Sequence, residues 1–370
     1  SVDEFKKFGL LGLIFLFIIG SYWLLRPLKD AVFFTVVGGK QYQPYAKMLS
    51  VVVVVMVVMI YSKLVDIFSR EKLFYVVMGF FACAYWILAL LLNHPTIGLQ
   101  NEEPSPYRLV GWITYFTVEC YGSITVSMFW SFVASCTQSS SARRGYSLIV
   151  GGAQIGSIMG PLLAANAQTL GVVPLFFLAG ACAIGVGLFV RLFVTVLPMN
   201  VNQSETDNQL TYDTKDGANT AQTTSKTTLQ KRSGFFDGLI LIGKHPYITG
   251  IALVSTLNEV VATITDYQMK VLAHDTSADT AELASFLGTF GMAVNSLALV
   301  AALVGTSYAL RRFGVRVCLL AYPIAVAGAC SILFFFANSE PLTLLRVFFF
   351  VMVLTKGLSY ALNNPSKEIL

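Results

Sequence analysis

Four apolar segments of this 370-residue chain each hold an ionisable residue: Lys29, Glu119, Glu259 and Lys356. A charge at the centre of a bilayer costs about 2.5–3.5 kcal/mol even on permissive insertion scales, so each needs a polar cavity, a partner or a substrate. Two lysines and two glutamates on separate segments form the kind of lining that a pore or transport site for a charged solute needs. Helical phase groups further residues with them, because positions three, four and seven apart share a face. Tyr22, Arg26 and Lys29 align in the first segment, and Trp112, Tyr115, Glu119 and Ser123 in the fourth. Ser255, Glu259, Thr263, Asp266 and Lys270 align in the seventh, and Lys356, Tyr360, Asn363 and Lys367 in the tenth. Lysine and arginine suit phosphate, arginine bidentately. Aromatic faces suit a planar base. A phosphate-bearing nucleotide matches that lining.

The elements that must position these groups are membrane helices. Hydrophobic residues make up 55% of the chain and charged residues 12%, and the mean hydropathy is +0.68. Soluble domains carry about twice that share of charge. A span needs about 20 mainly apolar residues. Ten are expected, over residues 8–27, 45–65, 72–93, 108–136, 145–169, 172–197, 246–268, 283–309, 314–337 and 342–363. The near-pure valine run 51–58 reads as helix, because an open strand in lipid leaves its backbone groups unpaired. Arg26 and Lys29 fall near the end of the first span, so snorkelling to the interface competes with a site role.

Residues 199–233 are rich in Asn, Gln, Thr, Ser and Asp and cannot bury a core. Gly234–Lys244 fits an amphipathic helix lying on the membrane surface. The expected organisation is a six-helix bundle over 1–198, a polar cytoplasmic linker over 199–244 and a second bundle over 245–370. Placing the N-terminus in the cytoplasm puts most of the 25 lysines and arginines on that side. The exceptions are Arg26, Lys29, Lys40, Lys47, Arg108, Lys270, Arg346 and the intraspan Lys356, which is the bias the positive-inside rule requires.

The net charge of +5 therefore reads as topology, not as affinity for nucleic acid. His94, His245 and His274 share no ligand spacing, the six cysteines show no CxxC pair and read as small core residues, and no metal or cofactor is expected. The chain carries no catalytic His or Cys arrangement and no glycine-rich phosphate loop, so an enzyme is not expected. Gly151, Gly152, Gly156 and Gly160 read as small residues for close helix packing.

Six spans, a long loop and a second set resemble the major facilitator architecture, in which two six-helix halves are related by an axis along the membrane normal. Twelve helices are expected of that fold, ten of them visible. The first and fourth helix of each half line its central cavity, which implies spans one, four, seven and ten. The segment Asp66 to Arg70 resembles the superfamily's gating motif, although the usual leading glycine is missing, and Arg143 and Arg144 are further cytoplasmic gate candidates.

Three patches narrow the resemblance. They are Leu25-Arg-Pro-Leu-Lys-Asp30, Glu119-Cys-Tyr-Gly-Ser123 with Phe129-Trp130, and Lys356 with Tyr360-Ala-Leu-Asn-Asn-Pro-Ser-Lys-Glu368. Together they are similar to the ATP/ADP translocases of intracellular bacteria, plastids and some intracellular parasites. Pro27 and Asn364 stand where that family often has Asp, and the seventh span lacks its Trp-Lys after Glu259. The resemblance implies exchange of ATP for ADP by alternating access, with Lys29, Glu119, Glu259 and Lys356 or Lys367 acting in transport. It implies nucleotide and lipid as partners, a monomer, and a bacterial inner membrane, or a plastid or parasite membrane. Two other readings stand beside it: a proton-coupled nucleotide importer using Glu119, Glu259 or Asp266, and a non-transporting receptor or scaffold whose buried charges are structural pairs.

Overall fold

The structure is a computed structural model that describes residues 2–101, 103–137, 139–196 and 246–360. The linker, the amphipathic segment at 234–244, Asn363 and Lys367 lie outside the described residues, as do the side chains of Arg143 and Arg144.

Among the described residues there is no strand, as expected where every backbone group must be satisfied within its own segment. The described residues form ten long helices, one over each expected span: α1 (Val2–Phe33), α2 (Gly39–Ile67), α3 (Arg70–Leu92), α4 (Leu109–Cys136), α5 (Ser139–Ala165), α6 (Val172–Val196), α7 (Pro246–Thr276), α8 (Thr280–Val300), α9 (Thr306–Phe335) and α10 (Pro341–Leu358). Six helical segments of the described residues are long and apolar enough to cross a membrane. One of these runs from Glu4 to Ile67 and joins α1 to α2. Many large aliphatic side chains face outward, including Val51, Val55, Met59 and Leu188, which a lipid-facing surface tolerates and water does not.

Two details depart from the expected boundaries. The first span does not end at residue 27. Helix α1 continues past Pro27 to Phe33, then through a π-turn at Phe34–Gly38, where Gly38 adopts φ 96°. That left-handed conformation favours glycine and turns the chain into α2. At the other departure, α9 begins before the basic turn Arg311–Arg316, and its helical geometry breaks at Gly314, with φ 77°.

The chain divides into two compact units, residues 1–199 with 269–370, and residues 200–268. Of the second, the described part is the α7 segment from residue 246 to 268, which carries Glu259 and Asp266 seven positions apart on one helical face.

In the first unit, α1 is central. It packs on α5 through glycines. A Cβ at Gly12 would lie 2.9 Å from the carbonyl oxygen of Leu148, and a Cβ at Gly152, Gly156 or Gly160 would collide with the α1 backbone at Gly12, Leu16 and Gly20. Small residues let two backbones approach this closely. Gly151 points into open space and takes no part. Helix α5 in turn packs on α8. The Asn295 side-chain amide donates to the Ser157 carbonyl at 2.7 Å, the Gln154 amide donates to the Asn295 carbonyl at 3.2 Å, and Gly288 faces the Pro161–Ala165 backbone. Cys120, Cys136 and Cys318 are buried, but Cys83 and Cys330 are exposed, so the cysteines are not uniformly core residues.

Candidate functional site

The extension of α1 beyond residue 27 decides the environment of Lys29. Inside the helix and facing α4, it is 4% exposed and does not snorkel. Its Nζ lies 2.6 Å from Glu119 Oε1 on α4 and 3.2 Å from Asp30 Oδ1. The same Nζ stands 3.9 Å from the centroid of the Tyr115 ring, one helical turn before Glu119. An ammonium over an aromatic face gains from the ring quadrupole, and gains more when desolvated.

Asp30 extends the chain of charges. Its Oδ2 lies 2.8 Å from Lys270 Nζ near the end of α7. Glu119, Lys29, Asp30 and Lys270 thus alternate in sign, two negative and two positive. Side-chain exposure is 28% at Glu119, 5% at Lys29, 4% at Asp30 and 14% at Lys270, so the ends of the chain are open and its middle is closed. A buried ion pair is a weak source of stability, because desolvation offsets most of the Coulomb gain. Four charges are thus kept together in an apolar bundle although they contribute little to its stability. Where both carboxylates let go, two ammonium groups become available to one polyanion.

Aromatic side chains surround this group. The Phe33 ring meets Trp112 edge-on at 5.1 Å and Tyr115 at 5.1 Å, and Tyr42 lies 6.5 Å from Trp112. The Trp112 indole donates to the Pro106 carbonyl at 2.9 Å, which fixes its plane. Ser123 does not reach the charges with its hydroxyl, which donates to the Glu119 backbone carbonyl at 3.0 Å.

The remaining candidates are distributed around this centre. The Arg26 guanidinium lies 4.9 Å from the Trp23 ring centroid, one turn before Lys29. Tyr22 covers Gly122 of α4, where a Cβ would run into its ring. Lys356 Nζ lies 5.2 Å from the Phe290 ring, between α10 and α8. Tyr360 is exposed just past the end of α10. At the α2–α3 turn, Arg70 does not pair with Asp66; its guanidinium donates to the carbonyl and the hydroxyl oxygen of Ser131 on α4.

Nothing in the sequence pairs Asp30 with Lys29 and Lys270. Lys270 stood in the seventh-segment stripe and Asp30 in the first motif. Asp30 follows Lys29 directly, about 100° round the helix, so no stripe through Lys29 includes it.

Residues 1–103 and 108–362 match the TLC ATP/ADP transporter family, which is nearly the whole chain. The chain belongs to that family. Among similar proteins, ADP,ATP carrier protein 1 of Chlamydia muridarum is 27% identical over 416 residues, covering 100% of this chain and 76% of the carrier. ADP,ATP carrier protein 1 of Rickettsia prowazekii is 24% identical over 409 residues, covering 99% and 79%. The plastidic ATP/ADP-transporter of Solanum tuberosum is 30% identical over 174 residues, covering 41% of this chain and 27% of the transporter. The structure has a distant likeness to the xylose transporter XylE from E. coli, with TM-score 0.49 and 12% identity over 99% of this chain and 88% of that chain.

Proposed function

We propose that this TLC transporter exchanges ATP for ADP through the site centred on Lys29. The observation that carries the reading is the 2.6 Å contact between Lys29 and Glu119, a lysine and a glutamate from different membrane helices beside an aromatic cluster. Lys29 binds nucleotide phosphate, aided by Arg26 and Lys356. Glu119 holds Lys29 when no nucleotide is present and turns to ribose or base when one is. Tyr115 orients the lysine, and Trp112 and Phe33 shape the neighbouring aromatic wall. Glu259 and Asp266, with Tyr22, Tyr360, Asn363 and Lys367, are further residues whose chemistry suits contact with nucleotide.

The helices work as a major-facilitator-like pair of bundles, 1–198 and 245–370, that rock about the substrate. Asp66, Arg70, Arg143 and Arg144 serve the cytoplasmic gate. The bias of basic residues supports an N-terminus in the cytoplasm. The carrier acts as a monomer in a bacterial inner membrane.

Binding tests the site apart from transport. Purified protein in detergent is expected to bind ATP and ADP by calorimetry, and Lys29→Gln is expected to lose that binding while keeping its helical circular dichroism. Unchanged affinity in a folded Lys29→Gln protein contradicts the assignment.

A further inference from the structure

Asp30 joins two parts of the chain that are far apart in sequence. Its carboxylate holds Lys29 on its own helix and Lys270 near the end of α7. Three other contacts follow the same line. The Thr280 hydroxyl donates to Thr35 Oγ1 at 2.9 Å, Lys40 Nζ lies 2.6 Å from Asp275 Oδ1, and the Phe34 ring lies 5.6 Å from the His274 ring. Residues 30, 34, 35 and 40 belong to the corner between α1 and α2. Residues 270, 274, 275 and 280 belong to the end of α7 and the start of α8. The two corners meet along one seam.

These ties differ in strength and in what they touch. Lys40 and Asp275 are 51% and 38% exposed, so water and salt screen them. Asp30 and Lys270 are 4% and 14% exposed, and their pair is the tie that shares an atom group with the Lys29 site. Any separation of the corners must break it.

We infer that Asp30 and Lys270 are positioning residues that couple occupancy of the Lys29 site to opening of this seam. The inference rests on the nucleotide reading given above. When the site is empty, moving Lys270 away takes a cation from Asp30 and leaves Lys29 facing Asp30 and Glu119 in apolar surroundings, which is costly. A bound polyphosphate competes with Asp30 for both ammonium groups, so the pair loosens only when nucleotide is present. The empty carrier stays shut and the loaded one opens. A carrier built this way exchanges substrate and does not leak.

Thr35→Cys, a reporter in the seam, tests this in purified protein. Its reaction with a water-soluble thiol reagent is compared with that of the parent chain, to subtract the native cysteines. Labelling is expected to be slow without nucleotide and about tenfold faster with ATP, within the usual range of coupling between sites. Asp30→Asn and Lys270→Gln, each combined with Thr35→Cys, are expected to label fast without ATP, and Lys270→Arg to keep the dependence on ATP. In vesicles, Asp30→Asn and Lys270→Gln are expected to admit labelled ATP without internal ADP.

Slow labelling in both charge-removed variants, with ATP still accelerating the reporter in the unaltered background, overturns the latch. Fast labelling in the variants with no effect of ATP on the reporter keeps the seam contact and overturns the nucleotide reading. Lys270 is more exposed than Asp30, so Lys270→Gln keeps the test decisive if Asp30→Asn fails to fold.

Discussion

Lys29 Nζ sits between Glu119 Oε1 at 2.6 Å and the Tyr115 ring centroid at 3.9 Å, so one residue of α1 is held by a carboxylate and an aromatic face that α4 presents one turn apart. The carboxylate at 28% exposure can swing away, and the lysine cannot retreat to water.

Replacing Lys29 therefore separates charge from shape. Lys29→Gln removes charge-assisted hydrogen bonds worth about 1.5–3 kcal/mol, which is about 10- to 150-fold in nucleotide affinity. Lys29→Arg keeps the charge but brings a planar fork into a slot shaped for an ammonium, and is expected to retain part of the affinity. Equilibrium binding of labelled ATP to the two variants checks the order.

Glu119→Gln tests the role of the competing carboxylate. With its charge gone, Lys29 loses a partner in the empty protein but not in the loaded one. Nucleotide affinity is expected to hold or rise while the exchange rate falls, because resetting the empty site is impaired. Separate measurements of Kd and exchange rate distinguish this from simple loss of folding, which lowers both.

The α1–α5 contact packs the helix that carries Lys29. Gly156→Ala places a methyl group against the Leu16 carbonyl and is expected to cost about 1–3 kcal/mol through overpacking. Gly151→Ala meets nothing within 4 Å and is expected to leave stability unchanged. Thermal unfolding of the two variants in detergent compares them directly.

At the α5–α8 contact, Asn295→Ala removes the 2.7 Å donor to the Ser157 carbonyl. One such hydrogen bond contributes about 0.5–1.5 kcal/mol, so a modest loss of thermal stability is expected. Nucleotide binding at Lys29 is expected to persist, since Asn295 lies outside that cluster.

Much of this was legible in the residues. Lys29 and Glu119 stood out because an ionisable group in an apolar run is expensive, and the span count followed from hydropathy because lipid permits little else. What stayed hidden was the partner arrangement. Periodicity places residues on a helix face but does not say which neighbouring helix that face meets, so nothing in the spacing distinguished Lys29–Glu119 from a pairing of Glu119 with Lys356. The π-turn at Phe34–Gly38 was also invisible, since no simple pattern marks the point where one long apolar run changes direction. Its consequence was large: it extends α1, buries Asp30 beside Lys29 and brings the α1–α2 corner to Lys270.

The central claim is exchange of nucleotide through Lys29. Its most direct test is the initial uptake of labelled ATP into proteoliposomes that hold either ADP or no nucleotide, with the Lys29→Gln protein run in parallel. Rapid uptake is expected only into ADP-loaded vesicles and only with Lys29 present. Equal uptake into loaded and empty vesicles contradicts exchange, and undiminished uptake by Lys29→Gln contradicts the site.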